Sequence, residues 1–227
     1  MSCYLDPTST LSWDALHPYI LPYVLGAPDE LVSHNARLAC IEFCRRSGIL
    51  HDANFIDLQK GVDTYFLSTI CDFEVVRLYQ LDMRNYTVRP SINTSSRPFW
   101  NGGFSGNSAY SASFYCGPYG VYMENVDVLR ITTALQQDYP KGMRAEFIVQ
   151  PKQDGCTLDS YLYEHFAEGI AAGAISRLML LKGTSWFDPK LSMQFSAQFQ
   201  KEITRARINV DMNFTSGAVR MEAERWV

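Results

Sequence analysis

Apolar side chains at Leu158, Leu162, Phe166, Ile170, Ala174 and Leu178 recur at every fourth position, the spacing of one helix face, over a run too long for an ordinary strand. Ile175 and Met179 widen this stripe. The middle of the segment, Gly169-Ile170-Ala171-Ala172-Gly173-Ala174, has almost no side-chain bulk. Each glycine there costs about 1 kcal/mol relative to alanine, so the compensating gain is the close approach of a second backbone. Thr157 is the expected N-cap, with Asp159 in the first turn. A turn at Lys182-Gly183-Thr184-Ser185-Trp186-Phe187 then leads to Asp188-Pro189, an N-cap followed by proline at the first helical position. The last helix runs from there to about Val210 on a stripe of Leu191, Phe195, Phe199 and Ile203. So short a connection implies an antiparallel helix hairpin.

A further helix is predicted from Pro28-Asp29-Glu30, where the acids complement the positive end of the helix dipole, to Ser47-Gly48. Val32, Ala36, Ala39, Cys40 and Phe43 form its apolar stripe with Leu31 and Leu38 beside them, and Arg45-Arg46 suits the last turn. Upstream, Ser12 to Tyr23 holds a short helix broken at Pro18 or Pro22.

Between these helical ends, from about His51 to Pro151, the pattern changes to short alternating runs separated by Gly, Asn, Ser and Pro, the signature of half-buried antiparallel strands. Met143 to Gln150 is the clearest, with Met143, Ala145, Phe147 and Val149 on one face and Arg144, Glu146 and Gln150 on the other. Phe73 to Met83 and Tyr86 to Arg89 form a hairpin around Asp82 to Asn85. Tyr110 to Phe114, Val121 to Met123 and Val126 to Thr132 complete the strands. Ser91 to Ser108, rich in Ser, Asn and Gly around Phe99, Trp100 and Phe104, is read as a long exposed loop. The predicted class is α+β: a helical module from residues 1–50 and 152–212, an inserted β-rich domain at 51–151, and an extended arm at 213–227 whose Val219, Met221 and Ala223 alternate with Arg220, Glu222 and Glu224.

Little in the chain points to chemistry. Asn101-Gly102-Gly103-Phe104-Ser105-Gly106 has glycines without the strand and helix that a phosphate loop needs, and Ser105 is not in a nucleophile elbow. His17, His34, His51 and His165 lie far apart and none has a two-ligand metal spacing. Glu164-His165 and Glu168 share a helical face that reads as solvated, with acid-base work as the weaker reading. Cys40 and Cys44 stand one helical turn apart and read as buried core thiols of a protein made in a reducing cytoplasm. A net charge of −4 speaks against a surface built to grip nucleic acid. The opening residues lack a signal peptide's charged start and apolar core, and no run of about 18 apolar residues occurs. We therefore expect no enzyme activity, no cofactor, no metal and no membrane span.

Two segments carry residue types that favour binding: the arm, ending in Arg225-Trp226-Val227, and the loop tip with Phe99, Trp100 and Phe104. The candidate partner-binding residues are Arg220, Arg225, Trp226, Val227 and Trp100.

Leu21-Pro22-Tyr23-Val24-Leu25-Gly26-Ala27-Pro28, followed by Ala39-Cys40-Ile41-Glu42-Phe43-Cys44-Arg45-Arg46-Ser47, is similar to the opening of a family of tailed-bacteriophage structural proteins, the head-to-tail adaptors or connectors. Tyr163-Glu164 and Ala167 through Leu178, then Gly183, Trp186, Asp188-Pro189 and Phe195 to Phe199, resemble that family's paired helices, and Val219-Arg220 to Trp226-Val227 resembles its tail. The likeness covers both helical ends, about a third of the chain, and stops short of the β-rich middle. It implies a non-enzymatic virion subunit of the neck or tail, assembled in the host cytoplasm. Such a subunit forms a twelvefold ring with copies of itself between the portal protein and the tail tube or nozzle protein, and DNA passes through without specific binding. The same resemblance suggests that the C-terminal arm docks on an adjoining protein. The alternatives are another phage tail or neck structural protein, a carbohydrate- or ligand-binding module with Trp100 and neighbouring tyrosines as stacking platforms, and an enzyme whose groups converge only in the fold.

Overall fold

The computed structural model describes residues 10–69, 72–83, 86–88, 113–116, 119–132 and 135–211. Helix α2 (Asp29–Ser47) shows how local sequence sets an element's limits. Pro28, extended at ψ 137°, stands at its N-cap, with Asp29 and Glu30 in the first turn. Gly48 ends it in the left-handed conformation, φ +67°, with its N–H donating to the Cys44 carbonyl at 2.8 Å. A side chain there would be strained twice over, since a Cβ at Gly48 would also lie 2.9 Å from Ile148 Cδ1. All of Val32, Ala36, Ala39, Cys40 and Phe43 are buried, as the stripe predicts.

Before α2 the chain forms β1 (Thr10–Ser12), a 3-10 turn at Trp13–Leu16, α1 (His17–Ile20) and a second 3-10 turn at Leu21–Tyr23. Pro18 and Pro22 each fall at the start of a new helical piece, where a missing N–H costs nothing, so helical type changes at each proline.

The strands are β2 (His51–Leu58), β3 (Thr64–Phe66), β4 (Phe73–Met83), β5 (Tyr86–Val88), β6 (Ser113–Cys116), β7 (Tyr119–Asn125), β8 (Val128–Ile131), β9 (Tyr139–Pro151) and β10 (Thr157–Asp159), and every pairing among the described residues is antiparallel. One sheet has the order β2-β9-β4-β5, the second β3-β8-β7-β6. In the first, His51 lies opposite Ile148 and Asp82 opposite Arg144, and two irregularities in β4, at Val75/Arg77 and Leu78/Gln80, shift the register. Met143, Ala145, Phe147 and Val149 are buried on one face of β9, as expected. The other face is not the solvent face that its polar residues suggest: Glu146 is 7% exposed, Gln150 4% and Ile148 2%. The physical reason is position, because β9 is an inner strand and the end of α2 lies over this face at Gly48 and Arg45.

The expected Thr157 cap is corrected. Thr157 belongs to β10, which pairs with β1 in a two-stranded ribbon, and Asp159 is the N-cap of α3 (Ser160–Leu178), its Oδ1 accepting from the N–H of Tyr161 at 2.9 Å and of Leu162 at 3.3 Å. Trp13 secures the same corner by donating its indole N–H to the Gly155 carbonyl at 3.0 Å. The last described helix, α4 (Pro189–Asp211), begins as predicted, with Asp188 Oδ1 accepting from the N–H of Lys190 and of Leu191, both at 3.0 Å.

Helices α3 and α4 run antiparallel at close range. A Cβ on Gly169 would lie 2.8 Å from Glu202 Cβ, and one on Gly173 would lie 2.8 Å from two ring carbons of Phe199. The small residues therefore serve the contact expected of them. Phe199 and Ile203 are buried, with Ala206 and Val210 extending the stripe, whereas Leu191 and Phe195 are half-buried. Phe43 joins all three long helices, its ring 5.1 Å from Phe166 and 6.3 Å from Phe199. Buried residues of the helices and of both sheets belong to one contiguous apolar core.

Cys40 and Cys44 are fully buried free thiols on the inner face of α2, as expected, and burial first, then the neighbouring Cys40 thiol, pushes the Cys44 thiol up. Arg89, Tyr110 to Ala112, the loop at 91–108 and the arm at 213–227 lie outside the described residues.

Candidate functional site

Three arrangements are candidates: a groove beside α1, the outer end of the helical layer, and a polar line across the first sheet. The groove, a cavity of about 220 Å³, is walled by α1, α3 and α4 and lined by Tyr19, Tyr163, Glu164, His165, Glu168, Gln198, Glu202 and Arg205. The structure thus brings the predicted trio Glu164, His165 and Glu168 to one cleft. Their surroundings are wet, however: all three are exposed, and no hydrogen bond or ion pair among the described residues joins them. The His165 ring lies 4.6 Å from that of Tyr161, tilted by 55°, and Glu202 is engaged by Arg205 at 3.2 Å. Tyr19 and Tyr163 face one another across the mouth at 6.3 Å; Tyr163, then partial burial and Glu168, raises the Tyr19 phenol above its ordinary value. Without a buried or mutually bonded acid-base pair, the cleft is suited to weak polar contact.

The outer end of the helical layer is apolar. Leu180, Leu181 and Phe187 in the α3–α4 turn are exposed, with Leu180 at 56%, while Met193 on the first turns of α4 is 75% exposed. Tyr23, half-exposed, lies edge-on to Phe195 of α4 at 4.9 Å, and Leu25 beyond it is 76% exposed. The turn itself is firmly held. Leu181 N–H donates to the Leu178 carbonyl at 3.1 Å, Asp188 N–H to the Met179 carbonyl at 3.1 Å, and the buried Ser192 hydroxyl to the Ser176 carbonyl at 2.7 Å. Large apolar side chains on a rigid support are costly in water and favour a protein contact.

Polar links fasten this layer from within. Glu42 on α2 accepts from Arg46 at 2.8 Å and from Arg177 of α3 at 2.5 Å, and Arg46 also donates to Gln200 of α4 at 2.5 Å. Burial alone would raise the Glu42 carboxyl, but hydrogen bonds and charge from Arg46 and Arg177 outweigh it and hold the group below its ordinary value of 4.5. A depressed folded-state value means that these contacts contribute fully above that ordinary value and are lost as pH falls through the folded value. Acid unfolding of the wild type should therefore steepen below about pH 4.5, and Glu42→Gln should flatten that part of the profile, as measured by the thermal midpoint across pH 3 to 6.

No protein-family model and no curated protein matches the chain.

The third arrangement escaped the sequence. His51, Glu146, Arg144 and Asp82 form a line across β2, β9 and β4: His51 Nδ1 is 3.4 Å from Glu146 Oε1, Glu146 Oε2 is 3.5 Å from Arg144, and Arg144 is 3.6 Å from Asp82. Nothing in the spacing of His51 and Glu146 announces this, because it depends on strand register. Of the other histidines, His17 Nε2 lies 2.8 Å from the Ser33 hydroxyl, and His34 is exposed. Among the described residues no group of three His, Cys, Asp or Glu could hold a metal, and no helix is long and apolar enough to cross a membrane. Arg220, Arg225, Trp226, Val227 and Trp100 all lie outside the described residues.

Proposed function

We propose that this chain is a structural subunit of a tailed-bacteriophage particle, a head-to-tail adaptor that joins the portal to the tail and forms a ring with its own copies around the DNA channel. The observation that carries the reading is the rigid apolar end of the helical layer, Tyr23, Leu25, Leu180, Leu181, Phe187 and Met193. Tyr23 and Leu25 lie in the segment Leu21 to Pro28 that resembles adaptors, and the other four residues stand among the quoted stretches of the paired helices, beside Leu178, Gly183, Trp186, Asp188-Pro189 and Phe195. A surface of this kind meets a different surface on the next copy, and repetition of that heterologous contact closes a ring. Contacts to the portal that are weak singly become strong when repeated around the axis. A net charge of −4 suits a channel through which DNA slides without sticking. The arm with Arg220, Arg225, Trp226 and Val227 is then the segment that reaches the adjoining protein, by strand addition or by inserting Trp226 into a pocket.

The test is a pair of charged substitutions on the apolar end. Leu180→Asp with Met193→Asp should leave the thermal midpoint within about 4 °C of the wild type, because each surface change costs within about 0.5 kcal/mol. The same variant should lose self-assembly and joining to the portal, read by sedimentation of the co-expressed proteins. Rings forming normally in this variant would remove the apolar end from the interface.

A further inference from the structure

The His51–Glu146 contact has a feature that ordinary buried ion pairs lack. His51 is 4% exposed and Glu146 7%, on adjoining strands of one sheet. His51 Nε2 lies 2.7 Å from the Gly48 carbonyl oxygen. A carbonyl only accepts, so Nε2 must carry hydrogen. The opposite nitrogen, Nδ1, faces Glu146 Oε1 at 3.4 Å and makes no well-formed hydrogen bond. If Nδ1 were bare and Glu146 ionised, a lone pair would face a carboxylate in a site closed to water. The gap is also too short for a bridging water, which needs about 2.8 Å on either side.

We infer that His51 carries a proton on Nδ1 as well as on Nε2, facing Glu146 Oε1 across the 3.4 Å gap, and that this charged contact helps hold the end of α2 over the central strand β9. The surrounding groups fit a positive imidazole. On β9, Arg144 engages the far oxygen Oε2 of Glu146 at 3.5 Å and reaches Asp82 of β4 at 3.6 Å, so the carboxylates balance the cations along the line. From β4 the Tyr79 ring presents itself to the imidazole at 4.4 Å, close to perpendicular. From α2 comes the Gly48 carbonyl, just past the helix's C-terminus, where the dipole favours a cation. Arg77, exposed on β4, and Arg45 of α2 are positive groups near this face, and desolvation, then Arg207, lowers the affinity of Arg77 for a proton. The pair thus adds to the approach of Gly48 to Ile148 and the hydrogen bond of Arg45 to Gln150, which join the helical layer to the sheet.

Nitrogen-15 NMR of the full-length wild type at neutral pH tests this directly. Both ring nitrogens of His51 should carry hydrogen, the positive imidazole that the surrounding groups fit. Glu146→Gln supplies an amide N–H to Nδ1 and so removes the need for the extra proton. The variant should keep the Nε2–H to Gly48 and convert the ring to a neutral imidazole whose signals no longer follow those of the wild type. A wild-type ring whose Nδ1 carries no hydrogen would overturn the inference, as would identical ring spectra in the wild type and Glu146→Gln. If the variant does not fold, the wild-type spectrum alone decides.

Discussion

Gly173→Val should cost about 3 kcal/mol of stability, seen as a lower denaturation midpoint with an unchanged denaturant slope. The new Cβ alone would stand 2.8 Å from Cδ2 and Cε2 of Phe199 and 3.0 Å from Cζ. Phe199 is 3% exposed and cannot turn away, because Phe43 and the backbone of α3 hold its ring. Removing a glycine from a helix interior ordinarily gains up to about 1 kcal/mol, so helix propensity and packing pull in opposite directions and packing wins. Gly173→Ala should show the conflict at smaller scale, with a net loss of about 1 kcal/mol. Shortening the partner separates the causes: Phe199→Leu in the Gly173→Val background should recover part of the loss, giving a favourable coupling in a double-mutant cycle. A Gly173→Val protein within about 0.5 kcal/mol of the wild type would show that α3 and α4 are not packed as described.

Phe43→Ala should be the most damaging single truncation in α2, at about 3 to 5 kcal/mol. Its ring is fully buried and lies between Phe166 of α3 and Phe199 of α4, so its loss opens a cavity where all three long helices meet. A domain of this size has a total stability of only about 5 to 15 kcal/mol, so a measurable unfolded fraction at moderate temperature follows. Leu181→Ala, in the exposed turn, is the matched control and should change stability by less than about 0.5 kcal/mol. Equal effects of the two substitutions in chemical denaturation would contradict the placement of the core.

The helical half was legible because its determinants are local. Pro28 and Gly48 bracket α2, Asp188 caps α4, and the four-residue period with Gly169 and Gly173 gives both the course of α3 and its close partner. The strands were legible as strands, and β4 with β5 even as a hairpin. What remained hidden depends on partners distant in the chain. Thr157 reads as a cap until β1, nearly 150 residues earlier, pairs with it, and the role passes to Asp159. Glu146 and Gln150 read as solvent-facing because alternation reports that a strand has two faces, and does not report that α2 covers the second. The candidate site follows the same rule: the exposed residues of the α3–α4 turn lie in a segment whose helices were predicted, yet their exposure depends on what the fold leaves uncovered. Glu164, His165 and Glu168 were placed on one face correctly, and only the structure adds Tyr19, Glu202 and Arg205 opposite them.

The decisive measurement for the proposed adaptor role is electron microscopy of the chain co-expressed with the portal protein it would join. Particles with copies of this chain in a closed ring at one mouth of the portal, contacting one another through the α3–α4 turn and the Tyr23–Leu25 segment, are the expected result. A chain that stays monomeric, leaves the portal bare and enters no particle would contradict the assignment.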